Sequence, residues 1–108
     1  MIPTIGRIVL YTLTDHDAEA INRRRTTGKA IAERMAAEPP AWPAGAQAHI
    51  GNNVSQGDTF PMIITRTWGS DEHSAVNGTV FLDGNDTFWA TSRVVGEHAG
   101  MYRWPGRA

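Results

Sequence analysis

The sequence contains no cysteine. That excludes a disulfide framework, a thiolate zinc site and a cysteine nucleophile. Nor is there an excess of charge: ten Lys and Arg against eleven Asp and Glu leave a net charge of −1. No global field therefore draws in nucleic acid or anionic lipid. Long hydrophobic runs are missing too. The longest early one, Ile8-Val9-Leu10-Tyr11, is too short for a signal-peptide core. Nothing approaches the roughly 20 apolar residues of a membrane span. The expectation is a cytoplasmic protein that engages no membrane. The N-x-S/T triplets at Asn53, Asn77 and Asn85 are read as chance in that setting.

Local catalytic signatures are equally scarce. His16, His49, His73 and His98 include no pair at helical i,i+4 spacing, and no H-E-x-x-H occurs. Ser55, Ser70, Ser74 and Ser92 have no G-x-S-x-G around them. Neither glycine-rich phosphate loop is present. Asp83-Gly84-Asn85-Asp86 lacks the register and the distant Glu of a calcium loop. It reads instead as hairpin chemistry, because Gly and Asn tolerate positive φ. The expectation is a non-catalytic protein with no cofactor and no bound metal.

What is present fits one folded domain. A chain of 108 residues with 41% hydrophobic and 19% charged residues is too apolar for disorder. Eleven Gly and six Pro, spread along it, predict many turns and hence short strands. Ile5 to Leu13 reads as a strand, and its unbroken apolar run suggests burial on both faces. Thr14 has the chemistry of a helix N-cap, with Asp15 and Asp17 in the first turn, where the helix dipole favours them. Asp15 to Arg25 is predicted helical. A weak seam of Ala18, Ile21, Arg25, Gly28, Ala32 and Met35 would extend it, as one helix or two, until Pro39-Pro40.

The rest is strand and turn. Gln47 to Ile50 is a short strand after a Pro/Gly connector carrying Trp42. Gln56-Gly57-Asp58 is a turn signal. Phe60 to Trp68 is the strongest strand. Val76 to Asp83 alternates, with Val76, Val80 and Leu82 on one face and Asn77, Thr79, Phe81 and Asp83 on the other. A hairpin turn leads to Thr87–Val94, and Met101 to Trp104 is a last short strand. The predicted fold class is α+β, mainly β. It is a small antiparallel SH3-like barrel or curled sheet, with a helical insertion after the first strand, at about residues 14–46. The predicted core includes Ile8, Leu10, Ile64, Val80 and Leu82.

Several stretches carry a resemblance. They are Gly6-Arg7-Ile8-Val9, Gln47-Ala48-His49-Ile50-Gly51-Asn52, Val80-Phe81-Leu82-Asp83-Gly84-Asn85-Asp86, Phe88-Trp89-Ala90-Thr91-Ser92 and Trp104-Pro105. In these the chain resembles a family of small uncharacterised proteins of actinobacterial phages and prophages. Residues 26–46 have no counterpart in that likeness. The resemblance implies a viral or prophage accessory protein acting in the host cytoplasm. It implies no activity and no catalytic residues.

Candidate binding residues come from charge and aromaticity. Arg23-Arg24-Arg25 is the one basic cluster, but three consecutive helical residues spread over about 200° and make no single patch. A solvated helix end is the simpler meaning, with Asp15, Asp17 and Glu19 as partners. Trp42, Trp68, Trp89 and Trp104 are many for this length. Trp89 is out of phase with Phe88, so one of the two must face away from the core. Arg7, Arg66, Arg93 and Arg103 stand in or beside strands, where neutral β-formers are expected. Arginine beside an aromatic ring holds phosphate and stacks a base together; the same arginines also serve as cross-strand pairs on a solvent face. The candidate ligand-binding set is Arg7, Arg66, Trp68, Trp89 and Arg103, with Asn52 and Asn53 adding polar contacts.

Four functions are compatible with these residues. The first is a module that binds a small anionic, nucleotide-like ligand, in a phage setting a sponge for a host antiphage-defence signal. Its pocket could form between subunits of a homo-oligomer. The second is a protein-interaction module that inhibits a host protein. A hydrolase using His and Asp from loops ranks last, and a structural virion component stays open. An arginine-lined pocket would favour the first; a flat apolar patch would favour the second.

Overall fold

The computed structural model describes residues 1–25 and 49–106. Its elements in chain order are β1 (Ile8–Thr12), α1 (Asp15–Arg24), β2 (Thr59–Thr67), β3 (Val76–Phe81), β4 (Thr87–Arg93) and β5 (Tyr102–Arg103). The strands form one antiparallel sheet in the order β4-β3-β2-β1-β5. β4 and β5 are its two edges, so the sheet is open. The α+β, mainly-β expectation holds in its curled-sheet form, and the barrel form does not.

α1 starts where the sequence puts it. Thr14 is the N-cap in an extended conformation, and its Oγ1 accepts from the Asp17 N–H at 2.9 Å. Asp17 returns the bond, accepting from the Thr14 N–H at 3.1 Å. This capping box satisfies two of the donors that a helix start otherwise leaves unpaired. Ala18 and Ile21 are buried and join the sheet core. Asn22 locks the far end by donating to the Val54 carbonyl at 2.8 Å and accepting from the Val54 N–H at 3.0 Å. The helix stops at Arg24, and Arg25 turns into extended backbone. The expected seam through Gly28, Ala32 and Met35, and the connector with Trp42, lie outside the described residues.

The core occupies the face of the sheet under α1. Val9, Tyr11, Leu13, Met62, Ile64, Val76, Val80, Leu82, Ala90 and Tyr102 are buried there. Three predicted core residues, Ile64, Val80 and Leu82, are among them. Ile8 and Leu10 are not. Ile8 is 56% exposed and Leu10 half-buried. β1 buries one face only, because the pleat sends Val9 and Tyr11 toward α1 and Ile8 and Leu10 the opposite way.

Two bulges adjust the register. One lies in β2 between Ile64 and Arg66; the other skips between the pairs Val76–Arg93 and Gly78–Ala90. Beside the second, Ser92 takes φ 55°, and its N–H donates to Asn77 Oδ1 at 2.8 Å. Asn77 keeps the outward phase of Thr79 and Phe81 and is buried all the same, with Trp68 Nε1 and the Ser92 N–H both donating to its Oδ1. Phe88 packs on the core and Trp89 is 69% exposed, which settles the phase of β4. The turn signal at Gln56-Gly57-Asp58 is a turn, with Gly57 at φ 90°.

Candidate functional site

Among the described residues, two buried polar clusters and a cleft carry the chemistry. The first cluster joins the end of α1 to the β3–β4 turn. Asp86 accepts from Arg25 Nε at 3.1 Å and faces Arg24 Nη2 at 3.3 Å; the Asp86 and Arg25 side chains are 2% and 5% exposed. Arg25 also donates to the Asn52 carbonyl at 2.9 Å, and Arg24 to the Thr87 carbonyl. His49 Nδ1 lies 3.7 Å from the same carboxylate. The chain passes here as a glycine pair, Gly51 opposite Gly84. A Cβ on Gly51 would stand 2.1 Å from Arg25 Nη1 and 2.6 Å from the Asp83 carbonyl oxygen. Only glycine lets the two backbones and the guanidinium share that space. The basic run is thus not a solvated helix end. Arg23 alone fits that description, pairing with Glu19 at 2.7 Å.

The second cluster lies under α1. Tyr11 OH donates to Asp17 Oδ2 at 2.5 Å, and Arg93 Nη2 stands 3.6 Å from Asp17 Oδ1. The Arg93 guanidinium also sits over the Tyr11 ring, 5.5 Å from its centre. Tyr102 is buried beside Tyr11 with its hydroxyl unpaired, and meets Trp104 edge-on at 6.2 Å. Burial raises the pKa of both tyrosines, and the hydrogen bond and charge of Asp17 raise that of Tyr11 further.

These two are the only tyrosines of the chain, which makes a direct test. Free tyrosine titrates near 10. With folded pKa values above that, the folded state keeps protons that the unfolded chain gives up. Stability from this source is complete below about pH 10 and falls as pH rises further, by up to about 1.4 kcal/mol per pH unit for each tyrosine. Ultraviolet titration should show tyrosinate forming only above the usual range near pH 10 while the protein stays folded. A smooth titration near pH 10 in the folded protein would contradict the burial.

The cleft, of about 390 Å³, is lined by Met1, Gly6, Arg7, Ile8, Trp104 and Pro105. It lies where β1 begins and the chain leaves β5. The backbone of Arg7 is fixed by its carbonyl, which accepts from the Ile64 N–H at 2.9 Å. Its guanidinium has no hydrogen bond, ion pair or ring contact among the described residues.

The other predicted site residues are dispersed. The Arg66 guanidinium stacks on Trp68, 4.0 Å from the ring centre, and Trp68 Nε1 donates to Asn77 Oδ1 at 3.1 Å. Trp89 stands on the face turned away from α1. Arg103 is on that face too, donating to Thr12 Oγ1 at 3.3 Å. Asn52 donates to Asp83 Oδ2 at 2.6 Å, and Asn53 is exposed. The structure therefore brings together Arg66 with Trp68, and Arg7 with Trp104, which the candidate set omits.

One regularity ties the arginines together. Arg23, Arg24, Arg25 and Arg93 each face a carboxylate. Arg7, Arg66 and Arg103 face none among the described residues. Among the described residues, the three arginines nominated for binding are the three left without an acidic partner. Among the described residues no three His, Cys, Asp or Glu side chains converge as metal ligands, and no helix is long and apolar enough to cross a membrane. No protein-family model matches the chain, nor does any curated protein or solved structure.

Proposed function

We propose that the protein is a binding module for a small anion with a planar, nucleotide-like group, and that the ligand sits in the Arg7–Trp104 cleft. The observation that carries this is the Arg7 guanidinium, uncommitted to any neighbour, beside an indole in a concave space of about 390 Å³. That volume is within the usual range for small-ligand sites, roughly 300–1,000 Å³. Guanidinium matches phosphate as a planar fork, and Trp gives a base a rigid face. Among the described residues the lining side chains include no nucleophile and no carboxylate or imidazole base, which supports a reading of binding without turnover. The resemblance to phage and prophage proteins sets this in an infected host's cytoplasm, with a defence signal as the ligand to be removed.

Calorimetry against cyclic nucleotides and ADP-ribose derivatives tests the reading. Arg7→Ala should weaken binding at least about tenfold, since a hydrogen bond to a charged group contributes about 1.5–3 kcal/mol. Arg23→Ala, on the helix, should leave it unchanged. No heat from any member of the panel would sink the proposal.

A second reading is favoured by a different observation. Ile8, Phe81 and Trp89 on the sheet face opposite α1 are exposed large apolar side chains, the kind of surface that a protein-interaction module inhibiting a host protein would offer.

A further inference from the structure

The five strands contain no Asp or Glu, and their only charges are Arg66, Arg93 and Arg103. Arg93 turns under α1 to face Asp17. On the opposite face of the sheet the strands therefore supply two charges, Arg66 and Arg103. Both are positive, and neither has an acidic partner among the described residues. The same face carries three exposed aromatic side chains. Arg66 pairs in register with Asn77, Trp89 with Thr79, and Phe81 with Thr87. Asn77, Thr79 and Phe81 alternate along β3, so they share this face at steps of about 7 Å. Trp68 is tied to the first of these positions by the bond from its Nε1 to Asn77 Oδ1. Trp68, Trp89 and Phe81 thus follow one another along β3, and they are 53%, 69% and 43% exposed.

Trp68 is exposed and also held in place. Asn77 is 8% exposed, and its Oδ1 accepts from both Trp68 Nε1 and the Ser92 N–H. The Arg66 guanidinium lies 4.0 Å from the centre of the Trp68 ring. A ring already fixed in solvent gives up little conformational freedom when another ring stacks on it.

We propose that this row is a stacking platform for a single strand of nucleic acid. Bases stack along Trp68, Trp89 and Phe81, and Arg66 holds a phosphate at the Trp68 end. Arg103, at the β5 edge, adds positive charge beyond the Phe81 end. The inference goes beyond the Arg7–Trp104 cleft and uses other residues. Charge and shape choose the partner together. A face whose charges are all positive complements a polyanion. Rings in a row need unpaired bases, which a single strand offers and a duplex hides. The chain's net charge of −1 gives no long-range attraction, so stacking carries most of the affinity. Every base has a π face, so sequence preference is slight.

Fluorescence anisotropy of a short labelled oligo(dT), titrated with the full chain, tests the proposal. Oligo(dT) and oligo(U) should bind comparably, since stacking does not read the sugar, and the duplex of oligo(dT) with oligo(dA) should not bind. Trp89→Ala should weaken binding roughly 5- to 150-fold, the loss of one base–aromatic stack. Unchanged circular dichroism and melting of that variant confirm its fold. With one or two phosphates neutralised, affinity should fall with salt at a log–log slope between about −0.7 and −1.4. Arg66→Ala should reduce that slope by about 0.7. Arg23→Ala, on α1, should change neither quantity. No binding of either strand, equal binding of the duplex, or an affinity untouched by Trp89→Ala overturns the proposal. A photo-crosslinking residue at position 81, in cells making the protein, should capture nucleic acid. Capture of protein alone overturns the platform and leaves the protein-interaction reading of this face in place.

Discussion

Replacing Asp86 with alanine is expected to destabilise the protein by about 3 kcal/mol, near the lower end of the range for breaking a buried ion pair. The cost comes from what remains. Arg25 would keep a guanidinium 5% exposed with its only carboxylate among the described residues gone, and its residual bond there would be to the Asn52 carbonyl. Arg24 and His49, about one-third exposed, could turn to water, which holds the estimate down. The end of α1 and the β3–β4 turn would lose their common anchor. Asp86→Asn keeps an oxygen for Arg25 Nε and should recover part of the loss. Urea unfolding of the three chains measures the series. An unchanged midpoint in Asp86→Ala would mean that the buried pair contributes nothing.

The second large effect is expected at Ile64. Its side chain is fully buried at the centre of β2. Ile64→Ala should cost about 3 kcal/mol, through lost burial and the cavity left in a packed core. For a domain of this size that is a fall in Tm of roughly 12–24 °C. Ile8 is the control, a residue of the same type on the adjacent strand but the opposite face. Ile8→Ala should cost under about 1 kcal/mol, because more than half of that side chain already meets water. Equal losses at both positions would mean that the sheet buries both faces.

Much of the fold was legible because its signals are local. Thr14, Asp15 and Asp17 carry their capping chemistry within one helical turn, and the helix begins there. The β-branched runs around Ile64 and Val80, separated by Gly- and Asn-containing turns, became strands close to their expected bounds. The alternation of Val76, Val80 and Leu82 named a buried face correctly, because a clean period of two has only one phase.

The site was legible only in part. Arg7, Arg66 and Arg103 stood out as charges inside strand patterns, and they are the arginines that no described carboxylate claims. Trp104 stands at the end of a predicted strand, and nothing local marks it as a neighbour of Arg7, nearly the whole chain away. The Arg25–Asp86 pair escaped for the same reason, being 61 residues apart in sequence. Asp86 looked like turn chemistry, and a sequence does not show which turn folds over a helix end.

By itself the sequence determined the strand and helix chemistry, the turns, the mainly-β class and the residue types available for binding. Tertiary structure alone decided which face of β1 is buried. In Ile8-Val9-Leu10-Tyr11 every residue is apolar, so no alternation marks a phase. The register that sets Ile8 against Ile63 and Val9 against Met62 chooses it. That register sends Val9 and Tyr11 under α1 and Ile8 and Leu10 to the opposite face, because successive side chains of a strand point to opposite sides of the sheet.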